Sequence, residues 1–374
     1  MQRTAPQIQG LRKEMEVQEI LNDIVFILLY GGVIMLDVVA AIYLLLLRRN
    51  AFAPEITTPI RLRRWSAAFL AVSAVSHVLW ILLVQHPSNA AYVAVCCFDI
   101  LLYFPTIAGI LLSMLQDRYR PVWPVAIMLV PAVILTVLYL IRGDNSLLLP
   151  GSIYVIAMYV LFLVYMFFAV RRYGRWLRDN YADLEHKEIG LSMMILVVFL
   201  LFFVIYNCTT ETNKFLMYLL QIDSIIIAGL LLWRVETLQV LTEKNTSEDY
   251  AQKSQRTIPD NIGPLLEKHC VQTQLYLQYD LTLAQLAQVI GTNRYYLSQY
   301  FSRQGITYNA YINELRVNHF ISLYHKSVAE WRIFTAQQLA KESGFHSYST
   351  FSSAFKQITG KTVTSWMRDA EENK

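Results

Sequence analysis

The chain reads as an all-α protein in two parts, a polytopic bundle of seven membrane helices followed by a soluble domain with two helix-turn-helix units. Three observations predict this. Apolar residues make up 55 % of the 374, too many for two ordinary water-soluble domains. They gather into long runs that stop abruptly after Trp233, and beyond a polar stretch they return only at helical spacing. The mean hydropathy of +0.36 agrees. A formal charge of +4 is too small for a whole-chain field that would point to nucleic acid.

Seven apolar runs of roughly 18 to 26 residues are each long enough to cross ~30 Å of hydrocarbon at about 1.5 Å per residue. They lie near 22–47, 66–85, 91–115, 121–141, 152–170, 189–206 and 215–233. Helices are expected, because an open strand would leave backbone donors unpaired in lipid. The first residues, 1–21, are polar and lack the apolar core of a cleavable leader, so the first run is expected to remain as a span.

Lys and Arg in short loops set the orientation, since they resist translocation. With the C-terminus inside, the inner loops carry Arg48, Arg49, Arg61, Arg63 and Arg64, then Arg118 and Arg120, then Arg171, Arg172, Arg175, Arg178 and Lys187. The outer side carries only Arg3, Arg12, Lys13, Arg142 and Lys214. The expectation is N-terminus outside, C-terminus in the cytoplasm, in a multi-pass protein of a bacterial inner membrane.

Ionisable side chains inside spans are costly and usually face a partner or a wet cavity. Asp37, His77, Asp99 and Asp223 are the candidates for such a site. Two readings stay open for them: a ligand- or proton-responsive pocket that would take an unidentified small molecule, or hydrogen-bonded glue between helices. Cys96, Cys97, Cys208 and Cys270 have no metal-binding spacing and read as small hydrophobes. No cofactor or metal is expected, and the serine-elbow, zinc-protease, P-loop and dinucleotide fingerprints of common enzymes are missing.

From 241 to 263 the composition turns polar and charged and ends in a Pro-Asp-Asn-Gly cluster, the expected linker between the bundle of 22–240 and a soluble domain at 264–374. A first helix is expected from Leu265 to about Tyr279. Thr282 then caps a helix with Leu283, Leu286, Ala287 and Ile290 inward, ended by Gly291. Asn293 opens a second helix, with Leu297, Tyr300 and Phe301 inward and Arg294, Tyr295, Ser298, Gln299 and Arg303 outward. Helix, glycine turn, helix is the plan of a unit whose second helix enters a DNA major groove. The plan repeats with Thr335, Leu339, Ala340 and Gly344, followed by a helix with Phe351, Ala354 and Phe355 inward and Tyr348, Ser349, Ser352, Ser353 and Lys356 outward. Tyr308 to Tyr324 is expected to connect the units as one helix. Between 281 and 368 the cations Arg294, Arg303, Arg316, Lys326, Arg332, Lys341, Lys356, Lys361 and Arg368 outweigh Glu314, Glu330 and Glu342. Such a surface suits double-stranded DNA.

The run LAQLAQVIGTNRYYLSQYFSRQGITYNAYINELRVNHF, with FTAQQLAKESGFHSYSTFSSAFKQITGKTV after it, resembles the C-terminal domain of the AraC/XylS regulators. The most specific part is Ala340, then Gly344-Phe345-x-Ser347, Thr350-Phe351, Phe355-Lys356 and Gly360. The resemblance implies base contacts from Tyr295, Ser298, Gln299, Tyr348, Ser349 and Ser353, and phosphate contacts from Arg316 and Lys356. Neither reader has arginine at the matched base-reading positions, so specificity would lean on Gln299 and on DNA shape. Three functions remain open: a one-component regulator, conceivably a homodimer, whose spans sense a signal; a regulator merely anchored by its spans; or a transporter or channel with a regulatory DNA-binding tail.

Overall fold

The computed structural model describes residues 23–372 apart from 48–49, 52–53, 55, 86–87, 143–144, 186, 191, 199–213 and 242–261. The fold is all-α, and the described residues contain no strand, only an isolated antiparallel bridge between Tyr181 and Thr282. The chain forms two compact units, one from the described parts of 1–171 and 189–241, the other from 172–188 and the described parts of 242–374.

The first unit contains α1 (Ile24–Leu46), α2 (Ile60–Gln85), α3 (Asn89–Met114), α4 (Trp123–Arg142), α5 (Leu148–Asn180), which runs on into the second unit, and α6 (Lys214–Thr237). All six are long and apolar enough to cross a membrane. Their outward faces carry Ile24, Leu28, Met35, Ile141, Leu149 and Phe168, all exposed. Continuous apolar surface of that extent is stable only against lipid or another apolar partner. Pro105 and Pro131 sit inside α3 and α4, a placement tolerated in spans where neighbouring groups satisfy the freed carbonyl. Of the sixth expected span, 189–206, residues 190 and 192–198 are helical, and 191 and 199–206 lie outside the described residues, as does Cys208.

Asp23 caps α1 by accepting from the Val25 and Phe26 amides at 3.0 and 3.4 Å. Gly109 leaves room for the Trp65 ring on the backbone of α3, where a Cβ would collide with it. At the end of α6 the chain is pinned to two loops of the same unit. Gln116 donates to the Gln239 carbonyl and accepts from the Leu241 amide, both at 2.9 Å, and the Val240 amide donates to the Thr57 carbonyl at 2.7 Å.

The second unit contains α7 (Ile262–Leu266), which widens into a π turn at Glu267–Val271, and a 3-10 turn at Leu275–Leu277. The sequence suggested one helix to about Tyr279. Gln274, at φ +55°, breaks it. Then follow α8 (Leu283–Val289), α9 (Arg294–Arg303), α10 (Tyr308–Ala329), α11 (Ala336–Glu342), α12 (Tyr348–Thr359) and α13 (Val363–Glu372). Thr282, Asn293, Thr307, Thr335 and Ser347 cap their helices by accepting backbone N–H groups. Thr282 and Gln285 complete a reciprocal capping box.

Two cores result. Leu283, Leu286, Ala287, Leu297, Phe301, Tyr308 and Ile312 form one, and Ala182, from the segment after α5, is part of it. Phe320, Tyr324, Leu339, Ala340, Phe345, Phe351 and Phe355 form the other. Helix α10 contributes to both and so joins the two cores along one rod. Its 22 residues span about 33 Å.

Candidate nucleic-acid interface

Helices α9 and α12 are the second members of the two helix-turn-helix units. Each starts at a side-chain cap, and each buries one stripe: Leu297 and Phe301 in α9, Phe351, Ala354 and Phe355 in α12. The opposite faces are open. Tyr295 and Arg303 on α9 and Tyr348, Ser349, Ser353 and Lys356 on α12 are exposed, while Ser298, Gln299 and Ser352 are half-buried. Gly291 and Gly344 make the turns with φ of +74° and +87°, a region that glycine enters without penalty.

Arg316 requires a correction. The resemblance implied that it touches phosphate, yet it is 1 % exposed. Its Nε donates to the Tyr276 carbonyl at 2.7 Å, and Nη2 donates to those of Gln278 and Tyr279 at 2.8 and 3.3 Å. Its guanidinium also lies over the Phe345 ring, 5.7 Å from the centroid. Burial pushes its pKa down to about 10, so at neutral pH it is a buried cation that closes the 276–279 turn onto α10. A guanidinium supplies five donors in a fixed fork, enough to satisfy several orphan carbonyls at once.

Residues 286–369 match a helix-turn-helix domain family. This AraC-type domain is a DNA-binding module of transcription regulators, and the matched stretch opens within α8 and closes within α13, so both readers fall inside it. The comparisons with curated proteins and with solved structures returned no match.

The domain includes a piece of chain that the sequence predicts to be a loop. Residues 172–188 bind it as a strap. The Ala182 amide donates to the Leu281 carbonyl at 3.3 Å. Asn309 donates to the Tyr181 and Ala182 carbonyls at 3.3 and 2.6 Å. Arg294 Nε donates to Asn180 Oδ1 at 2.7 Å, with its guanidinium 5.9 Å from the Trp176 ring centre. Glu185 stands 3.3 Å from His346 Nδ1. Lys187 is buried among Asp183, Glu185 and Asp280; burial pushes its ammonium pKa down and the three carboxylates oppose that. The alternation of charges in DNYADLEHKE looks like an ordinary solvated loop, and only Tyr181 and Ala182 hint that part of it is covered.

Within the membrane unit, the structure brings two of the three candidate aspartates together. Asp99 accepts from Ser76 Oγ at 2.6 Å and from Trp80 Nε1 at 2.9 Å. Asp37 lies beside Ser73, and Tyr103, packed against Phe69, is within electrostatic reach of both acids. Asp37, Ser73, Tyr103 and Ser224 line a cavity of about 20 Å³, room for roughly one water. His77 adjoins this group through its Nδ1, 2.8 Å from the Ser73 carbonyl, and Tyr30 donates to the His77 carbonyl at 2.7 Å. Asp223 is not in that cluster; it is buried, and neither carboxylate oxygen has a partner among the described residues.

A second polar cluster was missed in the sequence. Glu236, fully buried, accepts from the Tyr43 hydroxyl and from the Ala51 amide. Asn50 donates to the Glu236 carbonyl at 3.1 Å and accepts from Arg63 at 3.2 Å, and Arg63 Nε donates to the Leu44 carbonyl at 2.8 Å. The signal lies in Arg63 and Glu236 at the margins of apolar runs, where a charge reads as an ordinary end-of-span residue.

Proposed function

We propose that this chain is a membrane-embedded one-component transcription regulator that binds promoter DNA through α9 and α12. The supporting observation is the pairing of two capped, outward-facing reader helices on one rigid rod, in the same chain as six apolar helices that can span a bilayer. The rod holds the two readers at a fixed separation, as two readers that meet successive major grooves require. Tyr295, Ser298, Gln299, Tyr348, Ser349, Ser352 and Ser353 read bases, and Arg294, Arg303 and Lys356 hold phosphates. The Lys and Arg of the loops favour N-terminus outside and the reader domain in the cytoplasm, where a bacterium keeps its DNA.

The bundle acts as the sensor. Asp37, Asp99 and His77 converge on the Tyr103 cluster, which suits a proton or a small polar ligand, and Asp223 offers a buried acceptor awaiting a partner. A transporter would need a continuous polar path; a helix-turn-helix domain in the same chain favours a sensor instead.

Genome-wide DNA occupancy of the full-length protein tests this, beside a variant with Tyr295, Gln299, Tyr348 and Ser353 changed to alanine. Discrete peaks lost in the variant are expected. Peaks that persist unchanged in the variant, or no peaks in any growth condition, would overturn the reading.

A further inference from the structure

We infer that the strap of residues 172–188 and duplex DNA compete for the same ends of the two readers, so that the docked strap is the DNA-free state. This rests on the DNA-binding reading above and adds its regulation.

A helix-turn-helix meets DNA with the first residues of its second helix, while its first helix crosses the phosphate backbone. The strap touches those places. It pairs with Thr282, the cap of α8. Its Asn180 Oδ1 accepts from Nε of Arg294, the first residue of α9, at 2.7 Å. It reaches His346, which directly precedes the Ser347 cap of α12, through Glu185. One segment therefore sits at the leading ends of both units.

The chemistry is also duplicated. An amide oxygen on a guanidinium and a carboxylate on an imidazole are the acceptors that a DNA phosphate would supply. The single Nε–H of Arg294 can serve Asn180 or a phosphate in that direction, not both. The strap cannot simply be pushed aside either, because Ala182 is inside the first core and its amide and carbonyl are both bonded. Release means breaking those bonds together, which makes docking a two-state device. The strap begins as the last turns of α5 and leads into residues 189–198, so a change in either of these segments is transmitted to it through the chain itself.

The test uses the full-length protein in lipid nanodiscs and short random-sequence duplex DNA at low salt. Asn180→Ala with Glu185→Ala alters only the strap and leaves every reader residue in place. With two polar contacts removed, the expected result is about tenfold tighter duplex binding than wild type. Hydrogen exchange on the unaltered protein gives a second readout that needs no variant: exchange at the Ala182 amide should accelerate when DNA is added. If DNA binds and that amide stays as protected as before, or the double variant binds no tighter, competition is overturned while DNA binding stands. If neither protein binds duplex DNA, both readings fall.

Discussion

Gly291 and Gly344 hold the same place in the two helix-turn-helix units, and both have positive φ, yet their surroundings differ. A Cβ on Gly291 would meet open space, whereas one on Gly344 would come within 2.6 Å of the Leu277 carbonyl oxygen. The second unit is packed directly against the turn at 275–277, and Arg316 holds the adjoining carbonyls of 276, 278 and 279. The first unit has an open turn and is braced on another side, by Asn309 and the strap. Two copies of one plan are thus secured by different means, one by packing against an adjoining turn and one by a segment from far earlier in the chain.

The largest way to break this contrast is Arg316→Ala, which strands the buried Tyr276 carbonyl and removes the partner of those at 278 and 279. A loss of about 4 kcal/mol is expected, read by pulse proteolysis of the full-length protein in urea with cleavage scored within 262–372. The two glycines sharpen it next. Gly344→Ala should cost about 3 kcal/mol, since left-handed backbone and a collision with fixed backbone add together. Gly291→Ala should cost only about 1 kcal/mol, the conformational penalty alone. Equal losses in the two would show that the packing difference has no energetic weight.

Thr282→Ala and Thr335→Ala should each remove a cap and about 1 kcal/mol. Because Thr282 also pairs with Tyr181, only its loss should raise hydrogen exchange in the strap. The smallest effect concerns α13. Lys361 donates to Asp369 at 2.7 Å and holds its carboxyl below the usual value of 3.8. A depressed folded pKa contributes stability that is present above pH 3.8 and lost as the pH falls through the lower, folded value. Asp369→Asn should therefore narrow its gap from wild type only in that acid range, in a urea titration repeated across pH.

Much of this was legible. Helix caps and turn glycines are local signals, so Thr282, Asn293, Thr335, Gly291 and Gly344 marked the readers, and apolar run length marked the spans. Arg316 was misjudged because its sequence neighbours on α10 do not reveal that a broken helix 40 positions earlier presents it with open carbonyls. Gln274, which makes the break, carries no sequence mark of positive φ. Sequence could not pair Asp37 with Asp99 either, since helix rotation in a bundle is set by packing. The strap was hidden for a third reason: its grip comes from backbone bonds at Tyr181 and Ala182, which no side-chain pattern reports.

The strap also orders events during synthesis. Asn180 leaves the ribosome well before Arg294, which lies 114 positions later, an interval on the order of ten seconds at typical elongation rates. When the reader domain emerges, the segment that completes its first core is already in place beside α5. Each new molecule therefore has the segment that completes its first core at hand before the reader domain itself is made.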